Sequence, residues 1–308
     1  MLAPSLLVML CAAAASAFVP ASPALHSRRT AATQLASSAV SELSDSFDDA
    51  AVDAASATLR AVDRGANKLR VDFDTSAGDQ TYTMLKQTVP MSRVYVSQLA
   101  EALCGAADAV AADDGAPAKT LALFFPDAGQ AALLQRDWKV GTPEALVPPS
   151  VRLVALPRDK LAATDVAAVF VCPRAMEAES IEARLDQLAE RAMPAVLINP
   201  QLVDMMTTGF GYAGRALRDR MEDGLVRAYY LRATEWGAVV RAWPLPFSQY
   251  REDAEAPGGY RLVQSYDGLP TGDELDDAIA VDDGLDPADT GGGALEGLAR
   301  FIEGFQKM

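Results

Sequence analysis

Histidine is almost missing from this 308-residue chain; the single one is His26. If the N-terminal stretch that holds it is removed, no imidazole remains. That excludes Ser-His-Asp and Cys-His catalysis and histidine ligation of a metal. Cysteine is nearly as scarce. Cys11, Cys104 and Cys172 stand far apart with no C-x-x-C, so neither a zinc site nor a disulfide framework is expected. Cys104 and Cys172 read instead as buried free thiols. Basic charge is short too: 27 Lys and Arg face 42 Asp and Glu, a formal net charge of −15. The first 41 residues carry two arginines and no acid, so the remainder sits near −17 once those two positives are subtracted. Such a surface repels phosphate backbones, and nucleic acid is not an expected partner. Beyond the N-terminal region no apolar run is long enough to span a bilayer, so the expectation is a soluble or peripheral protein with no transmembrane span. No G-x-x-x-x-G-K-[ST], G-x-S-x-G or H-E-x-x-H occurs, which leaves P-loop, hydrolase-elbow and zincin chemistry without support. No metal or cofactor is expected.

What is present begins with a two-part N-terminus. Residues 1–17 carry an apolar run from Leu6 to Ala15, then Ala15-Ser16-Ala17, the pattern of a signal peptide although no basic side chain precedes the run. Phe18 follows directly. Residues 18–41 are rich in Ala and Ser, with Arg28 and Arg29 and no acid, which is transit-peptide composition. A signal peptide, a phenylalanine and a transit segment together resemble the bipartite presequence of algae with secondary, red-lineage plastids. Plain secretion with a pro-region is the alternative. The expected location is the plastid, in the stroma or on the stromal face of the thylakoid.

Residues 42–270 read as one α/β domain. Its organising unit is TLALFFPDAGQAALLQRDWK, residues 120–139. Leu121, Leu123 and Phe125 lie in a continuous apolar run, which predicts a buried strand. Pro126 stops the strand, Asp127 is placed to cap a helix, and Ala131, Leu134 and Trp138 fall on one helical face. Before this unit the spacing predicts a helix over 47–68 with Val52, Ala55, Leu59 and Val62 inward, a strand over 69–73, and a turn at Gly78. A helical piece over 82–89 ended by Pro90 and a second helix over 92–112 follow. After it come strands over 151–156 and 165–172, a helix over 176–192 and a strand over 195–198. Strands alternating with helices imply a mainly parallel, Rossmann-like sheet in three layers with both faces covered. Residues 225–232 and 238–243 then read as a hairpin, and 260–266 as another strand, so an antiparallel extension at one edge is expected. Residues 271–292 read as an acidic flexible linker, since 271–289 hold eight acids and no base. Residues 293–308 read as a short amphipathic helix.

Three groups of residues invite a functional reading. Gly209-Phe210-Gly211-Tyr212-Ala213-Gly214 matches G-x-G-x-x-G, but about ten residues separate it from the preceding strand, which argues against a dinucleotide site. A reduced version remains, in which Gly209, Gly211 and Gly214 offer backbone amides and Arg215 and Arg218 offer charge to a phosphate or carboxylate. A glycine loop with arginines that pair surface acids is the plainer account. Asp127 lies at the C-terminal end of a strand, where open α/β sheets bind ligands, although an N-cap is the plainer account. Trp236, Trp243 and Phe247 would mark a partner surface if they are exposed together. Asp72 and Asp74 flank a strand face, and the Asp282-Asp283-Gly284-Leu285-Asp286 run lacks the glycine and glutamate positions of a calcium loop.

AVDRGANKLRVDF, FFPDAGQAALLQRDWK, VLINPQL, GFGYAGRALRDR and WGAVVRAWPLPFSQYR, in that order and spacing, resemble a cyanobacterial and plastid family known as a domain of unknown function. That family includes the Low PSII Accumulation assembly factor of chloroplasts. The resemblance spans residues 50–266. It implies a plastid or cyanobacterial setting and a link to photosystem II assembly, and it supplies no catalytic residue. Two functions therefore stand as expectations. One is an assembly or interaction factor for thylakoid photosystem proteins, working through a sheet edge or the 236–250 region. The other is a small-molecule or nucleotide-binding α/β enzyme that uses Asp127 with the 209–218 loop, and catalysis is the weaker of the two.

Overall fold

The computed structural model describes residues 40–74, 84–105, 117–156, 158–202, 216, 219–222 and 224–285. The expected presequence up to residue 39, the Gly78 turn, residues 106–112 of the expected second helix, the 203–215 stretch and the C-terminal segment from 286 lie outside these residues.

Residues Ala50–Ala61 supply the first helix with small side chains, and this decides how it packs. In α1 (Phe47–Asp63) the buried positions are Ala50, Ala51, Ala54, Ala55, Ala57, Thr58 and Ala61, while Val52 is exposed. The expected Val52–Val62 face is thus rotated toward the alanines, which let a neighbouring helix approach closely. Ser46 caps the helix by accepting from the Asp49 amide. The neighbour is α2 (Met84–Cys104), and Thr58 Oγ1 meets the buried Tyr95 hydroxyl at 2.8 Å between them. Pro90 was expected to end a helix and instead lies inside this one. It sits on the exposed side of the helix, with Thr88, Met91, Ser92 and Tyr95 buried around it. Burial of that flank outweighs the roughly 3 kcal/mol cost of an interior proline.

Nine strands form one sheet. They are β1 (Lys68–Phe73), β2 (Thr120–Phe125), β3 (Val151–Ala155), β4 (Asp165–Val171), β5 (Ala195–Ile198), β6 (Val226–Thr234), β7 (Gly237–Ala242), β8 (Phe247–Glu252) and β9 (Tyr260–Tyr266). Their order is β3-β2-β4-β5-β1-β6-β7-β8-β9. The first six in that order pair in parallel and the last four antiparallel, with β6 belonging to both runs. The mostly parallel sheet with an antiparallel edge extension is therefore present as read from sequence.

One face packs on α1, α2 and α3 (Ala128–Asp137) through Leu69, Val71, Phe73, Leu121, Leu123, Phe125 and Val169. The other packs on α4 (Ala178–Glu190) through Ala122, Phe124, Ala168, Phe170 and Leu197. Alternate residues of β2 thus enter two different cores, which is why its sequence is apolar throughout.

β8 was not anticipated. Its second and third residues, Ser248 and Gln249, are polar yet fully buried, so no alternation of apolar side chains marks it. Its partner β7 begins at Gly237, where an added Cβ would stand 2.2 Å from the Tyr250 carbonyl oxygen; only glycine admits that approach.

The acidic stretch read as a linker is largely a helix, α5 (Gly272–Asp282). A Thr271–Glu274 capping box opens it, Leu275 packs with Val239 and Phe247, and Gln249 Nε2 donates to the Leu275 carbonyl. Arg251 and Arg261, on β8 and β9, bind Asp282. Cations from neighbouring strands offset the acid count that suggested solvation.

The domain also begins earlier than residue 42. Ser41 is fully buried; its amide donates to Ser248 Oγ at 3.0 Å and its hydroxyl donates to the Pro246 carbonyl at 2.8 Å. The same hydroxyl accepts from the Ala242 amide, and the Ser41 carbonyl accepts from the Tyr250 hydroxyl.

Candidate functional site

The C-terminal ends of the parallel strands are where an open sheet gathers its loops. The chain leaves β2 through α3 to reach β3 on one side, and leaves β4 through α4 to reach β5 on the other. α3 and α4 lie on opposite faces, so β2 and β4 form a topological switch point. Asp127 stands at the end of β2, exposed, with its Oδ1 accepting from the Gln130 amide at 2.8 Å. The N-cap role predicted for it is realised. Across the switch, Arg174 follows β4 and is held by Glu177: the Arg174 amide donates to Oε2 at 2.9 Å and Nη2 donates to Oε1 at 2.8 Å. The Glu177 hydrogen bond raises the Arg174 pKa above the ordinary guanidinium value, and the negative charge of Asp127 adds to the shift.

Next to this point two non-glycine residues adopt positive φ, Cys172 at 46° and Asn199 at 45°. They end adjacent strands β4 and β5, a placement that stores strain at a site of loop gathering. Asn199 is buried; its Oδ1 accepts from the Phe73 amide at 2.7 Å, and its Nδ2 donates to Thr88 Oγ1 at 2.8 Å. One side chain thus ties β5 to β1 and to α2. Burial pushes the Cys172 thiol up to about 11, with a Thr88 hydrogen bond opposing the shift. It is therefore a protonated thiol at neutral pH, not a nucleophile. Cys104 is likewise buried, free and raised by burial. Gly209, Gly211, Gly214, Arg215 and Arg218 fall outside the described residues.

The three aromatic residues do not form one surface. Phe247 is buried beneath α5, with the Arg241 guanidinium 4.8 Å from its ring centroid. Trp243 is half-buried against the first core, its ring 5.8 Å below the Arg64 guanidinium. Trp236 is half-buried at the β6–β7 turn. It lines a cleft of about 730 Å³ with Arg232, Thr234, Glu235, Leu275 and Asp276. The Thr234 hydroxyl there is buried and makes no hydrogen bond. Close by, β9 closes the antiparallel run as an edge strand, with Tyr260 36% and Leu262 41% exposed.

Sequence reading passed over two features. One is Asn199, whose role depends on a backbone conformation that residue spacing does not reveal. The other is a set of arginines, Arg70, Arg227 and Arg241, distributed over three strands. Asp72, singled out as half of an acid pair, is bound to two of them, and Asp74 accepts from the Ala233 amide at 2.7 Å. Among the described residues no group of three or more His, Cys, Asp or Glu could hold a metal ion, and no helix is long and apolar enough to cross a membrane.

Comparison with curated proteins and with solved structures finds no match for this chain. A family model does match, over residues 45–277, from just before α1 to the middle of α5. By that match the chain belongs to the family described as "Domain of unknown function (DUF1995)".

Proposed function

We propose that this chain is a plastid interaction factor that holds assembly intermediates of thylakoid photosystem proteins through the antiparallel end of its sheet. The observation that carries the reading is the β9 edge. One side of this seven-residue strand pairs with β8, and among the described residues the other has no partner strand. Exposed edges of this kind accept an added strand, with backbone bonds giving affinity and side-chain pockets giving selection. Tyr260 and Leu262 supply exposed apolar contacts on it, and the Trp236 cleft supplies a neighbouring recess. Family membership supports the setting, and the two-part N-terminus supports plastid import. A peripheral position at the stromal face of the thylakoid fits both.

The test places a photo-crosslinking amino acid at Leu262 in the full chain within intact plastids. The expected products are adducts to photosystem core subunits, lost when Val263→Pro blocks strand addition and kept in an Arg136→Ala surface control. Adducts unchanged by Val263→Pro would overturn the edge reading. The switch point favours a second reading, a small-molecule or nucleotide-binding enzyme, because the negative charge of Asp127 acts on Arg174 across it. Saturable nucleotide binding by calorimetry, abolished in Asp127→Ala, would move the function there.

A further inference from the structure

Three arginines of this acidic molecule gather on the sheet face, on neighbouring strands and not in a loop. Arg70 on β1 pairs in register with Arg227 on β6, and Asp72 pairs with Tyr230. Tyr230 pairs in turn with Arg241 on β7. Arg227 and Tyr230 are three residues apart and would normally point to opposite faces of a strand. A bulge in the β1–β6 pairing inserts Ala228 between them and brings Arg227 onto the Tyr230 face. All five side chains therefore share one face. It is the face that carries α4 over β2, β4 and β5 and α5 over β7 and β8. Between them the helical residues 219–222 reach the N-terminal end of β1, where Lys68 Nζ donates to the Arg220 carbonyl at 2.9 Å.

Within the cluster, Arg70 Nε donates to both oxygens of Asp72, at 2.8 and 2.9 Å, and Arg227 Nε donates to Asp72 Oδ2 at 2.8 Å. The Arg227 guanidinium stands 5.7 Å from the Tyr230 ring centroid. Among the described residues Arg241 donates only to a backbone oxygen, that of Leu245, at 3.1 Å, and rests on the Phe247 ring. Among the described residues one carboxylate, Asp72, binds two of the three guanidiniums and none binds Arg241, an excess of two positive charges held on half-buried side chains. Burial lowers the Arg241 pKa below its ordinary value, and repulsion from Arg227 lowers it further. A partly desolvated cation beside another cation is costly unless an anion completes the set.

We infer that Arg70, Arg227 and Arg241 form a binding site for the phosphate group of a small anionic ligand, seated on the sheet face between α4 and α5. A phosphate at neutral pH carries close to two negative charges, which matches the excess. Planar guanidinium forks suit its oxygens better than a lysine would, and none of the three arginines is spent on a second carboxylate. The Tyr230 ring lies between Arg227 and Arg241 and offers a flat apolar neighbour for whatever the phosphate is attached to. This site is separate from the β9 edge and stands whether or not that edge binds protein.

Calorimetric titration of the full chain with inorganic phosphate and pyrophosphate, against sodium chloride of equal ionic strength, tests it. Saturable binding of both phosphates, and none of chloride, is expected. Arg241→Gln should weaken binding about tenfold or more, the usual worth of a charge-assisted hydrogen bond. Arg227→Gln reads the same loss should the first variant fail to fold, and Asp72→Asn, which removes the one competing anion, should tighten binding. Arg261→Gln, on the distant α5 contact, should leave it unchanged. Phosphate binding indifferent to Arg227, Arg241 and Asp72, or matched by chloride, would overturn the site. Cosedimentation with phosphatidylglycerol vesicles, lost in the same variants, would assign the phosphate to a lipid headgroup; binding confined to solution would assign it to a soluble phosphate ester.

Discussion

Asn199 shows how much one side chain can fix. Its amide group bridges the Phe73 backbone and the Thr88 hydroxyl in a buried setting, and its backbone sits in the left-handed region that asparagine tolerates better than most residues. Asn199→Ala removes both hydrogen bonds, leaves the Phe73 amide without its partner and keeps the unfavourable φ. A destabilisation of about 3 kcal/mol is expected in urea unfolding. Asn199→Gly loses the same bonds but relieves the backbone, so it should recover roughly 1 kcal/mol of that. Equal costs for the two would mean that the backbone conformation contributes nothing. At this scale the sequence was readable where chemistry is local. Asp127 following a strand and a proline could be assigned as a cap from spacing alone. Asn199 could not, because its partners lie 126 and 111 residues away.

Elements were legible in proportion to how far side-chain pattern alone determines them. β2, β5 and β9 follow directly from apolar runs or alternation bounded by turn residues. β8 does not, since its buried Ser248 and Gln249 are satisfied by Ser41 and α5 rather than by apolar neighbours. α5 was hidden for the complementary reason: Asp282 at its C-terminal end is held by arginines that reach it from β8 and β9. That dependence has a pH consequence. Hydrogen bonds from Arg261 and then Arg251 hold the Asp282 carboxyl down to about 2, against 3.8 for an ordinary aspartate. A carboxyl whose pKa falls on folding stabilises the folded state above its unfolded pKa and loses that contribution as protons bind. The Asp282 contribution is therefore complete above about pH 4 and lost as pH falls toward 2. Because Leu275 shares a cluster with Trp236, the fluorescence of a variant keeping Trp236 as its one tryptophan should red-shift over that interval as α5 loosens. Asp282→Asn should show the loosened spectrum already at pH 7. A spectrum constant from pH 5 to 2, or unchanged in Asp282→Asn, would remove the arginine clamp as what holds the helix.

At the scale of the whole molecule, composition foretold the class and the sheet but misplaced where the folded unit starts. The composition changes from base-bearing and acid-free to acid-rich at residue 42, and a boundary drawn there cuts away Ser41. Yet Ser41 makes four hydrogen bonds, to Ala242, Pro246, Ser248 and Tyr250, and so joins the chain's start to β7, β8 and the turn between them. A composition boundary marks where targeting chemistry stops, whereas a folding boundary marks where buried backbone groups stop needing partners. The two differ here by at least one residue, and the second one constrains the first. If the presequence is cleaved, the cut must fall before Ser41. A chain that begins at Glu42 leaves the Ala242 amide and the Ser248 and Tyr250 hydroxyls without these bonds, at a cost of about 2–4 kcal/mol from their net worth. Chains that begin at residue 39 and at Glu42, compared by urea unfolding, should differ by that amount, with Ser41→Ala falling between them. Intact-mass measurement of the protein recovered from its native cells should then give an N-terminus at Ser41 or earlier. A mature chain found to begin at Glu42 or later, with undiminished stability, would show that β7 and β8 hold together without this strap.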